Sequence, residues 1–126
     1  MSFESERLLI ENQLKEYWNQ TTISWGNIAF KIPSNEPWIR LNIVNGGSSY
    51  IALGGIKRHS GVIMVQIFTP INTGTDAARK YADMIVSIYD SKKLGNVICD
   101  AASIQILGAT DVWYQVNVTI PYWRDE

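Results

Sequence analysis

The chain carries one histidine, His59, and one cysteine, Cys99, and these two residues bound the chemistry open to it. A Ser-His-Asp relay needs a histidine as its base, and the hydroxyl beside His59 is the adjacent Ser60, whose side chain cannot readily turn to face it. A structural zinc site asks for about four Cys or His ligands, and a catalytic one for three with an open position. One of each, far apart in sequence, supplies neither. Cys99 lies between Ile98 and Asp100 in a strand-like pattern, where a cysteine is a small buried hydrophobe more often than a nucleophile. Asp76, Asp83, Asp90, Asp100 and Asp111 are spaced as caps, turns and a solvated helix face, and form no carboxylate pair for acid/base work. The expectation is a protein without a catalytic centre, metal or cofactor.

The segment Gly54-Gly55-Ile56-Lys57-Arg58-His59-Ser60-Gly61 is the most concentrated basic stretch. It has neither the spacing of a P-loop nor that of a dinucleotide-binding glycine motif, so a phosphate cradle is disfavoured. Two readings remain open. The glycines and cations can form a flexible hairpin base kept soluble by its charge. Alternatively, Gly54, Gly55, Lys57, Arg58, His59 and Gly61 form an exposed contact loop that reaches a neighbouring subunit or a polyanion. Of the five tryptophans, Trp18 and Trp38 are predicted to be core-bound. Trp113 shares a strand face with Gln115, Asn117 and Thr119, opposite the apolar face, which predicts a second packed surface. Trp113 and Trp123 are therefore candidate subunit-interface aromatics.

These residues need a scaffold, and 126 residues suffice for one domain, spanning 1–126, with a core that requires no disulfide or metal. Charged residues make up only 18 %, against 5 Trp and 6 Tyr, a surface suited to contact. The net charge of −1 gives no global field toward nucleic acid or an anionic membrane, so any DNA contact must be local. No run of about 18 apolar residues marks a membrane span, and the start of the chain lacks the order of a signal peptide, which predicts a cytosolic protein.

Ile10, Leu14, Tyr17 and Trp18 recur at helical spacing and predict a first helix from Ser2 to about Gln20, with Ser2 capping it. A short strand is expected at 22–25 and an irregular link through Pro33 and Pro37. Trp38 to Val44 then alternates, with Ile39, Leu41 and Ile43 on one face. Asn45-Gly46-Gly47 reads as a turn and Tyr50 to Leu53 as a short return strand. Val62 to Thr69 predicts a central strand that Pro70 ends. Asp76 to Tyr89 predicts a second amphipathic helix, capped by Thr73 or Thr75. Strands at 94–99, 102–107 and 112–122 complete an α+β fold, a mixed and largely antiparallel sheet with two helices on one face.

Several pieces then become familiar in their order: Trp25-Gly26-Asn27-Ile28-Ala29-Phe30, Leu53-Gly54-Gly55, Lys57-Arg58, Gly61, Val65-Gln66-Ile67-Phe68-Thr69-Pro70, Thr73-Gly74-Thr75, and Ala78 through Ala82-Asp83. Ala102-Ser103-Ile104 and a last strand with Trp113-Tyr114, ending near Ile120-Pro121, continue the series over nearly the whole chain. The chain resembles the small tail-terminator-like proteins of long-tailed bacteriophages. That resemblance implies a non-enzymatic virion protein of the tail-neck region, assembled in the host cytoplasm as a homo-oligomer, a hexameric ring. Its implied partners are the tail tube protein and a head-tail connector or neck protein, with DNA threading the ring as a further contact and no membrane. It implies that tube polymerisation ends at this ring and that the ring offers the surface for head-tail joining. It implies no cofactor and assigns no residue a site role. A neck adaptor or head-completion protein is the alternative within phage structure; a small hydrolase or nucleotide binder is the alternative of another class.

Overall fold

The computed structural model describes residues 2–26, 28–50, 55–71, 76–110 and 112–125. Helix α1 covers Phe3–Tyr17, β1 Thr22–Trp25, β2 Trp38–Tyr50, β3 Lys57–Pro70, α2 Asp76–Tyr89, β4 Lys93–Leu94, β5 Val97–Cys99, β6 Ser103–Thr110 and β7 Trp113–Asp125. The fold is α+β, with two helices and a curled, mostly antiparallel sheet of seven strands. Ser2 caps α1 as its chemistry predicts, its Oγ accepting from the Ser5 amide at 3.1 Å. The two threonines expected to cap α2 lie outside the described residues.

The strands run in the order β1-β2-β3-β7-β5-β4, and β6 pairs the first half of β7 on the edge that β5 takes in the second half. Only β1 and β2 are parallel. Alternation sets the faces: Ile39 and Leu41 of β2, Ile63, Val65 and Ile67 of β3, and Val116, Val118 and Ile120 of β7 all point to one side and are at most 2 % exposed. Ile10 and Leu14 of α1 with Ala78, Ala82, Ile85, Ile88 and Tyr89 of α2 cover that side. The small Ala78 and Ala82 let α2 lie close on the sheet, and Tyr89 satisfies its hydroxyl by donating to the Ile10 carbonyl at 2.7 Å.

Three local expectations are corrected. Asn45-Gly46-Gly47 is no turn: β2 continues through it to Tyr50, and the register slips by one residue between Asn45↔Gly61 and Gly47↔Ser60. Gly46 is thus the extra residue of a bulge, and Gly47 takes a φ of 129°, which glycine reaches without steric cost. Glycines after an asparagine suit a bulge as well as a turn, and here pairing with β3 decides. The strand expected at 94–99 divides into the β4–β5 hairpin at Gly95, φ 61°. The last strand extends past Tyr122 to Asp125, because β3 continues to template it.

Trp38 is buried, 2 % exposed, but not in the main core. It shares its phase with Arg40 and Asn42, so it points away from the helices. There it stacks on Phe68 at 4.1 Å and on Phe30 at 5.2 Å, with the Arg40 guanidinium 5.1 Å from its ring. A small aromatic cluster seals that face where no helix covers it.

Candidate assembly surface

The basic segment is a strand rather than a loop. Lys57 to Gly61 open β3, paired on one side with Gly47–Tyr50 and Asn45 of β2 and, from Arg58 on, with Tyr122–Asp125 of β7 on the other. The result is a three-stranded extension of the sheet, covered on its helix side by the first turn of α1 and open at Val44, 54 % exposed, and Tyr50, 68 % exposed. Gly54 lies outside the described residues, and Gly55 takes a φ of 82°. Lys57 lies 5.5 Å from the Tyr50 ring centroid.

His59, expected on an exposed loop, is 7 % exposed. It points to the helix side of the extension, where the Phe3 ring meets it edge-on at 5.3 Å and the Ser48 hydroxyl hydrogen-bonds its Nδ1. The loop reading failed because both flanking strands continue alongside residues 58–61, and alternation then turns every second side chain inward.

Arg58 faces the other way. Its guanidinium forks onto Asp125, at 2.9 and 3.1 Å, and lies 3.8 Å from the Trp123 ring centroid. The hydrogen bond from Arg58 holds the Asp125 carboxyl below its ordinary value and raises the guanidinium above its own. The structure thus joins two residues singled out independently, Arg58 and Trp123. It separates Trp113: that side chain meets Trp38 edge-on at 6.1 Å, ten residues up β7 from Trp123, about 33 Å at strand rise. The two candidate aromatics belong to different patches.

Sequence reasoning missed the polar cluster that braces the extension. Glu6 and Arg124 are 2 % and 1 % exposed, and Arg124 Nε donates to Glu6 Oε1 at 2.8 Å. The Tyr122 hydroxyl donates to Glu6 Oε2 at 2.8 Å and has Asn45 Oδ1, 3.1 Å away, as a second acceptor. Burial, then the Glu6 contact, pushes the Tyr122 phenol well up, so it stays a donor. Phe3 covers the group, its ring 5.0 Å from the Arg124 guanidinium. Gly61 makes room: a Cβ there would lie 2.5 Å from the Tyr122 hydroxyl and 2.7 Å from the Val44 carbonyl. One signal was available. Val116, Val118, Ile120 and Tyr122 share an inward phase, and Arg124 is next in it, a charge that burial obliges to find an acid.

This cluster ties α1 to the extension, Glu6 taking one hydrogen bond from Arg124 and one from Tyr122. Burial also raises the Cys99 thiol to about 11, so the sulfur is protonated and unreactive at neutral pH. Among the described residues no three His, Cys, Asp or Glu side chains cluster as metal ligands, and no helix is long and apolar enough to cross a membrane.

The described residues form one α+β fold, its sheet extended at one end by β2, β3 and β7. The family model described as phage tail terminator protein matches residues 7–122, and the chain belongs to that family. It is a structural family of the bacteriophage tail, whose members interact with other virion proteins. No curated protein matches the sequence. A solved structure of 19 % identity superposes with a TM-score of 0.77 over 100 % of this chain and 96 % of the other, a likeness of fold.

Proposed function

We propose that the protein forms a ring, hexameric as the resemblance implies, on the end of the phage tail tube, that this ring stops tube polymerisation, and that its free face receives the head connector. The observation that carries the reading is the family match from residue 7 to 122, essentially the whole domain. The braced extension supports it, since a rigid exposed sheet can meet another ring without first paying to order itself. Lys57, Arg58, Trp123 and Tyr50 are the side chains offered there. A terminator must match the last tube ring on one face and withhold from its other face the surface the next tube ring would use; this is heterologous association prevented from propagating. The role is structural, in the virion tail, after assembly in the host cytoplasm.

A phage lacking the gene tests this directly. Its tubes should grow to abnormal, variable lengths and fail to join heads. Micrographs showing free tails in a narrow distribution at wild-type length would instead assign the protein to the neck as an adaptor.

A further inference from the structure

The ring proposed above needs an interface between copies, and the sheet carries two edges that suit each other. Reading across it, Thr22 of β1 shares a row with Trp38, Phe68, Gln115 and Gly108, and Trp25 shares one with Leu41, Val65, Val118 and Ile104. Strand β1 therefore stands level with β6, on the opposite edge of a five-stranded band. Their directions follow from the pairings. β1 runs with β2, and three antiparallel steps through β3 and β7 leave β6 running against β1. If one copy is set beside another, β6 of the first meets β1 of the second with antiparallel polarity.

The chemistry of both edges agrees. Soluble proteins protect open edges with charge, proline or a bulge that breaks the ladder. Neither Thr22–Trp25 nor Ser103–Thr110 contains a charged residue or a proline. β6 does carry one bulge, at Leu107, where its register with β7 slips between Ile106↔Val116 and Gly108↔Gln115, so the four residues of β1 stand level with a five-residue stretch of β6. Among the other described edges, β2 beyond β1 has the Gly46 bulge, and β4 is two residues long and carries Lys93. On β6 the helix-side residues Ile104 and Ile106 are 42 % and 47 % exposed, although their partners Val118 and Val116 on β7 are fully buried. Helical cover ends at β7. On β1 the helix-side residues are also apolar, the half-buried Ile23 and Trp25. Thr22 and Ser24 of β1, like Ser103 and Gln105 of β6, take the opposite side.

We propose that neighbouring copies join edge to edge, β6 of one adding antiparallel to β1 of the next, so that one continuous sheet runs around the ring. Level, polarity, absence of charge and face pattern all match a second copy of this chain. Because the two edges differ, the contact is head-to-tail and repeats, and the curl of the sheet turns repetition into closure.

The test uses the purified full chain and two variants, Ile106→Lys on β6 and Thr22→Lys on β1, both at partly exposed positions. Wild-type protein should form rings by native mass spectrometry and negative-stain microscopy, with amide exchange in 22–25 and 104–108 slowed at least tenfold relative to dilute monomer. Each variant alone should lose rings, with self-association at least tenfold weaker and an unchanged melting temperature. Mixed one to one, they should form dimers and nothing larger, since each retains the edge the other lacks. Rings formed by Ile106→Lys, or variants that never pair when mixed, overturn the edge proposal and leave the ring reading intact. A wild type that stays monomeric at every concentration, with no ring on tail tips, overturns both.

Discussion

Replacing Glu6 alone should damage the protein more than replacing both Glu6 and Arg124. The pair is 2 % and 1 % exposed, so its charges sit almost wholly out of water. Glu6→Leu leaves a buried guanidinium without its carboxylate, and a guanidinium cannot shed its proton. Breaking a buried pair in this way costs about 3–5 kcal/mol. For a domain of this length that is a melting temperature lowered by roughly 10–20 °C. Arg124→Met should cost less, about 1–3 kcal/mol, because the carboxylate keeps its hydrogen bond from the Tyr122 hydroxyl. The double variant Glu6→Leu/Arg124→Met replaces the pair by apolar groups of similar length and should lie within about 1 kcal/mol of wild type. Thermal and urea unfolding of the four proteins, followed by circular dichroism, closes a double-mutant cycle. Additive single effects, or a Glu6→Leu loss under about 1 kcal/mol, would refute the claim that the carboxylate neutralises Arg124.

Gly61→Ala should destabilise by about 1–3 kcal/mol in the same unfolding assay, since its Cβ would meet both the Tyr122 ring system and the Val44 carbonyl. The Cys99 thiol, raised to about 11, should resist a disulfide reagent at pH 8 in the native protein and react at once in denaturant. Asp125 is held below its ordinary value, so its ion pair with Arg58 contributes above about pH 3.8 and is lost as the pH falls through the lower folded value. Tryptophan emission should accordingly change below that point in wild type and lack this component in Asp125→Asn. Reversing Lys57 and Arg58 to Glu should set Arg58→Glu against Asp125, lower the melting temperature only slightly because the pair is solvent-screened, and weaken assembly far more; normal assembly at low salt would reassign the pair to solubility.

The helices and the long central strands were legible because their apolar residues recur at one period each, Ile10 and Leu14 in α1, Ile63, Val65 and Ile67 in β3. Local glycines were less so. Asn45-Gly46-Gly47 has the composition of a turn, and only the pairing of β3 with both neighbours makes it a bulge inside a strand. The same cause hid His59: residues 58–61 look like a loop until two strands are known to run beside them. Trp38 shows the opposite case. Its phase with Arg40 already placed it away from the helices, but size and hydrophobicity alone suggested the main core. The Glu6–Arg124 pair joins the two ends of the sequence, and no local pattern reports a contact of that span beyond the inward phase of Arg124.

That span also sets a timetable. Glu6 and Arg124 are separated by 118 positions, and a ribosome adding ~5–20 residues per second takes roughly 6–24 s to cover that distance. Throughout that interval α1 has neither the carboxylate's partner nor β7 to pack against, and β3 lacks one of its two neighbours. The clamp can close only after Arg124 has been synthesised. A chain that stops short of Arg124 can still seat Ile10 and Leu14 beside α2, but its Glu6 has no guanidinium to bind and the first turn of α1 is not tied to the extension.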